Sequence, residues 1–101
     1  MKWLWTWGGR CFGYRDGNDL WTYDGRHVGR FTGDIVHDRH GGYLGESKND
    51  NRLIRRQGGS SVRYSSFTPW AKRGGYAKYA DYAGYAMYSG YEDFPGPETF
   101  S

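Results

Sequence analysis

A chain of 101 residues with 17 glycines and only 37 % hydrophobic residues has room for one modest core, which excludes two independent globular domains. Five Trp, ten Tyr and five Phe must supply much of the buried surface, Cys11 alone cannot form an internal disulfide, and no Cys/His cluster has zinc spacing. The net charge of +3 is unevenly spread: residues 1–46 are balanced, residues 47–73 carry seven basic side chains against Asp50, and residues 74–101 carry Lys78 against Asp81, Glu92, Asp93 and Glu98.

The chain begins Met1-Lys2, and the short apolar run Trp3 to Trp7 stops at Gly8-Gly9. That run is too short for a signal peptide or a membrane span, so a cytoplasmic protein with no membrane partner is expected. The stretch Leu4-Trp5-Thr6-Trp7-Gly8-Gly9-Arg10-Cys11-Phe12-Gly13 repeats 16 residues later as Leu20-Trp21-Thr22-Tyr23-Asp24-Gly25-Arg26-His27-Val28-Gly29. Each copy sets Gly-Gly or Asp-Gly between two β-prone runs, which predicts a hairpin with a two-residue type I′ turn. Under that turn Trp7 faces Arg10, Trp5 faces Phe12, Tyr23 faces Arg26 and Trp21 faces Val28. One sheet face then collects Trp3, Trp5, Trp7, Phe12, Trp21, Tyr23 and Val28.

A third, more divergent unit runs from Ile35 to Glu46 around Arg39-His40-Gly41-Gly42. The connectors Asp16-Gly17-Asn18-Asp19 and Thr32-Gly33-Asp34 are short, so the strands should follow one another as an antiparallel meander: six in residues 1–46 and a seventh near Leu53-Ile54. The expected organisation is an all-β hairpin-repeat domain over 1–56, a basic Gly/Ser-containing linker over 57–74 with one more strand at Val62 to Phe67, and a Tyr/Gly/Ala-rich tail over 75–101. In the tail, Tyr76, Tyr79, Tyr82, Tyr85, Tyr88 and Tyr91 recur at every third position. On an α-helix that spacing scatters the rings, whereas in a polyproline II-like coil it lines them up roughly 9 Å apart. With Gly84 and Gly90 weakening a helix, the tail is expected to be extended or irregular.

The segments Leu20 to Gly29 and Tyr43-Leu44-Gly45-Glu46 resemble a small bacterial family, the four-fold β-flower proteins. The resemblance covers residues 1–46 and leaves the Tyr-rich tail outside it. It implies meanders from four subunits around a four-fold axis and brings no biochemical activity or cofactor with it.

Cys11, His27 and Asp24 contain the residue types of an activated thiol. Because Cys11 and His27 occupy equivalent positions of successive hairpins, they read as two fillings of one structural slot, and no catalytic residue is assigned. His37-Asp38-Arg39-His40 reads as a solvated turn rather than a metal site. Arg52, Arg55, Arg56, Arg63, Lys72 and Arg73, interleaved with Tyr64, Phe67 and Trp70, match the chemistry of a nucleic-acid surface, in which cations meet phosphates and rings stack on bases. The alternative use of that segment is docking against the acidic tail. A Trp-rich face can also serve as a carbohydrate or peptide platform, but in so lean a chain Trp3, Trp5, Trp7, Trp21 and Tyr23 fit better in the fold or at an oligomer interface. The leading expectation is a non-enzymatic, self-assembling module, a homotetramer, with nucleic-acid binding as the alternative.

Overall fold

The computed structural model describes all 101 residues. One sheet contains β1 (Lys2–Thr6), β2 (Cys11–Asp16), β3 (Asp19–Thr22), β4 (His27–Thr32), β5 (Ile35–His37), β6 (Tyr43–Lys48), β7 (Arg52–Arg56) and β8 (Tyr91–Asp93). Consecutive strands pair antiparallel, and β1 also pairs parallel with β7, Trp5 beside Arg52 and Thr6 beside Leu53. The first seven strands therefore close into a mixed barrel rather than an open meander, which removes most exposed strand edge within one chain. Residues 62–67 form no strand. The eighth strand comes instead from the tail and pairs with the C-terminal half of β7, Ile54 opposite Asp93 and Arg56 opposite Tyr91. Three hairpins, β1–β2, β3–β4 and β5–β6, and the long-range pair β7–β8 thus belong to a single chain.

The 16-residue repeat is legible in the turns. Thr6 N–H donates to Arg10 O and Gly9 N–H to Thr6 O; Thr22, Arg26 and Gly25 repeat the pattern, as do Asp38, Gly42 and Gly41. Only the third loop residue has positive φ, 99° at Gly9, 94° at Gly25 and 86° at Gly41. That is a three-residue loop ending in a left-handed glycine, not the two-residue type I′ turn expected from Gly-Gly and Asp-Gly. The extra residue shifts the register, so Trp5 faces Cys11 and Trp21 faces His27. Bulges at Leu4/Trp5, Leu20/Trp21 and Val36/His37 then set Phe12, Val28 and Leu44 out of the ladder.

The single aromatic face read from the sequence is consequently split. Phe12 joins Leu4, Leu20, Phe31, Val36, Leu53 and Phe94 in the barrel interior, with Val28, Leu44 and Phe100 packed at its margin. Trp3 and Trp5 flank Leu4 and point to the outer wall, as strand alternation requires.

Residues 59–90 have almost no regular secondary structure of their own, yet they are held at fixed intervals. Tyr64 and Phe67 donate their amides to Gly41 O and Arg39 O, Arg73 and Tyr76 to Gly25 O and Tyr23 O, and Tyr82 and Tyr85 to Gly9 O and Trp7 O. The segment is a belt that passes the third, second and first hairpin turns in that order, nine of its residues matching each 16-residue unit of the barrel. The lengths explain the ratio. The molecule measures 36 × 34 × 21 Å, and a quarter of the rim of such a disc is about 27 Å, while nine residues at ~3.1 Å in a three-residue-per-turn coil span about 28 Å. The division into linker and tail therefore gives way to one belt that runs through both and returns to the sheet at β8.

Candidate functional site

The outer wall is where the belt and the repeat meet, and the three units fill one slot in three ways. Trp5 stacks on Tyr82 with centroids 4.0 Å apart and planes at 13°, the Arg73 guanidinium lies 3.8 Å over Trp21, and His37 stacks on Tyr64 at 4.8 Å and 3°. Trp3 meets Tyr76 and Tyr79 edge-on, and Trp7 is tilted against Tyr85 and Tyr88 at 5.1 Å each. The indoles of Trp5 and Trp7 donate to Ala80 O and Ala86 O at 2.9 and 3.0 Å, so the belt supplies polar partners for these two, whereas the Trp21 indole N–H is buried without one. Trp5, Trp7 and Trp21 are at most 5 % exposed. Of the residues assigned to an oligomer interface, these three are covered by the chain's own belt, and Trp3 and Tyr23 are half-buried beside it. The assignment assumed that short hairpins leave one face bare. The surface left to solvent is the outer side of the belt, where Tyr76, Tyr79, Tyr82, Tyr85 and Tyr88 are each 44–54 % exposed.

The basic segment is mostly committed inside the molecule. Arg52 is buried, donates to Trp7 O and Ala83 O at 3.3 and 2.9 Å, and stacks 4.2 Å from Tyr85. Arg55 pairs with Glu92 of the tail at 3.2 Å and donates to Tyr43 O and Leu44 O; Arg56 pairs with Glu46 at 3.3 Å; Arg73 pairs with Asp16 at 2.9 Å. Tyr64 is stacked on His37, and Arg63 donates to His40 O. These contacts break up the continuous basic surface drawn from the sequence and leave Lys72 as the one member of that set without a hydrogen bond or ion pair.

Cys11 and His27 take equivalent places against the belt rather than facing each other as nucleophile and base. Trp70 N–H donates to His27 Nδ1 at 3.0 Å, and the Tyr79 amide stands at the Cys11 thiol nine residues further on. His27 Nε2 lies 3.0 Å from both Gly29 O and Asp19 Oδ1, which places the ring proton there. Burial pushes the Cys11 thiol up and His27 down from their ordinary values, with Asp19 opposing the latter. His37 is also pushed down, by burial and then by Arg30, and neither of its nitrogens has a hydrogen-bond partner. The Tyr43 hydroxyl, buried, donating to Glu46 and accepting from the Arg56 amide, is pushed up to about 12.

Sequence reasoning started the period-three series at Tyr76. The same register runs back through Arg73, Trp70, Phe67 and Tyr64, and that longer series was the available sign that the whole segment docks as one piece.

Seven strands closed into a small barrel and bound by the chain's own aromatic belt define an all-β module of a particular kind. The chain belongs to the 4-fold beta flower protein family, whose profile matches residues 1–85. The match extends well beyond the first 46 residues to Tyr85, so it takes in most of the belt that the sequence resemblance left outside. No curated protein and no solved structure matches the chain.

Proposed function

We propose that the chain is a non-enzymatic interaction module that associates with a second copy of itself through the exposed side of the tyrosine belt. The observation that carries this reading is the row of five half-exposed tyrosines on one continuous stretch of the belt. The row is self-complementary. Lys78 and Asp81 lie 3.9 Å apart and are both half-exposed. An antiparallel two-fold contact that sets Lys78 of one copy against Asp81 of the other also sets Tyr76 opposite Ala83, Tyr79 opposite Ala80, Tyr82 opposite Ala77 and Tyr85 opposite Gly74. Every ring then meets a small residue. The belt already covers Trp5, Trp7 and Trp21 within one chain, so the tetramer expected from bare sheet faces loses that premise, and the row favours a dimer.

Light scattering on the size-exclusion peak tests this. The expected mass is twice 11.7 kDa, falling to the single-chain mass when Ala77→Glu and Ala80→Glu place carboxylates where rings are expected. A wild-type monomer throughout the micromolar range removes the proposal.

A further inference from the structure

The belt pins an amino acid at every third position, and Trp70 is the exception in how its side chain is used. Its amide is fixed on His27 Nδ1 at 3.0 Å, but its ring is 61 % exposed and stacks on nothing in the barrel, unlike Tyr64, Phe67 and Arg73 beside it in the series. The ring stands at the mouth of a cavity of about 410 Å³ between the second and third hairpin turns. Val28 and Phe100 give the cavity an apolar wall, and Arg26, Arg39 and Lys72 surround it. The side chains of Arg39 and Lys72 make no hydrogen bond or ion pair. Arg26 has only a 3.6 Å approach to Asp24, and its Nε is buried without a hydrogen-bond partner. One carboxylate, Asp38, also lines the cavity, but its Oδ1 accepts the amides of His40 and Gly42 at 2.9 Å each and is occupied in holding the turn.

We propose that this cavity binds a nucleotide, the base stacked on Trp70 and the phosphate held by Arg26, Arg39 and Lys72. Three cations line the cavity against Asp38, and with Asp24 beside Arg26 the site keeps a net positive charge, which suits an anionic group such as a phosphate monoester of about −1.5 to −2. The volume falls in the range of small-ligand sites, roughly 300–1,000 Å³. An aromatic plate beside cations is also the arrangement that holds unpaired bases, so a free nucleotide and a nucleotide within a single strand offer the same chemistry.

Calorimetric titration of the full chain with adenosine 5′-monophosphate, adenosine, inorganic phosphate and a short oligodeoxyadenylate tests the assignment. The monophosphate is expected to bind about tenfold or more tightly than adenosine or phosphate alone, and Trp70→Ala or the pair Arg39→Gln and Lys72→Gln should each weaken it by about tenfold. Trp70→Ala should melt as the wild type does, because the ring supports nothing in the barrel. An oligonucleotide that binds no more tightly per nucleotide than the monophosphate identifies a free-nucleotide pocket; tighter, strongly salt-dependent binding identifies a single strand. The proposal is overturned if neither nucleotide binds at millimolar concentration, if phosphate binds as well as the monophosphate, or if the variants bind unchanged. The mass of the chain in solution reports separately on the belt contact, so the two readings can fail independently.

Discussion

The barrel and the belt reach order by opposite routes. Strands β1 to β7 bond to one another and repeat every 16 residues because each hairpin is built on the same turn. The belt has no ladder of its own, and its three-residue period has meaning only against the carbonyls and rings that the barrel presents. A segment of Tyr, Ala and Gly that would remain disordered alone gains a partner for every third amide, and aromatic pairs worth about 0.5–1.5 kcal/mol each beyond their buried area. Regularity in a chain segment can therefore be borrowed from a neighbour with a commensurate repeat.

The strongest way to break this correspondence is to fill a turn glycine that the belt crosses. A side chain at Gly25 would meet positive φ and collide with the Arg73 carbonyl. Gly25→Val should cost about 3 kcal/mol, combining left-handed strain with displacement of the belt, and should lower the melting temperature by roughly 15 °C. A thermal melt followed by circular dichroism measures it, and an unchanged midpoint would separate the turn from the belt.

Removing the clasp between the two regions should cost less. Arg52→Met keeps an unbranched apolar stem but removes the guanidinium, which leaves Ala83 O without its donor and Trp7 O with the Tyr85 amide alone, for a loss of about 2 kcal/mol in chemical denaturation. An exposed cation would cost almost nothing on replacement, so this variant distinguishes a buried clasp from a surface patch.

The smallest effect is on pH. His27 accepts the Trp70 amide and His37 lies flat under Tyr64, both with depressed pKa. The unfolded chain takes up these protons near the ordinary histidine value of 6.5 while the folded chain resists them. Their contribution is thus fully present above 6.5 and is lost as pH falls toward the folded values. Melts at neutral and mildly acidic pH should show stability falling on acidification, and His37→Phe should reduce that fall.

Much of the barrel was legible in advance. Turn glycines and the Leu-Trp-Thr run marked six strands by Glu46 and a seventh at Leu53-Ile54, because hairpin chemistry is local. The register was not, since Gly-Gly and Asp-Gly serve both two-residue and three-residue loops and only the position of the left-handed residue tells them apart. Parallel closure of β1 on β7 and the return of Tyr91–Asp93 are contacts between distant segments, with no local mark. The tyrosine period was visible and an extended or irregular form was expected, but its partners were not, because stacking of Tyr82 on Trp5 joins residues far apart in sequence. For the same reason the basic segment read as a continuous surface, although Arg52 is buried under the belt and Arg55 and Arg73 are each paired with a carboxylate of the same chain.

Amide hydrogen exchange read residue by residue by NMR tests the central claim most directly. If the barrel imposes its repeat on the belt, the amides of Tyr64, Phe67, Trp70, Arg73, Tyr76, Tyr79, Tyr82 and Tyr85 are protected while the two residues between successive members exchange freely, giving a three-residue ladder. Uniformly fast exchange across residues 60–90, with the barrel amides still protected, would contradict the account.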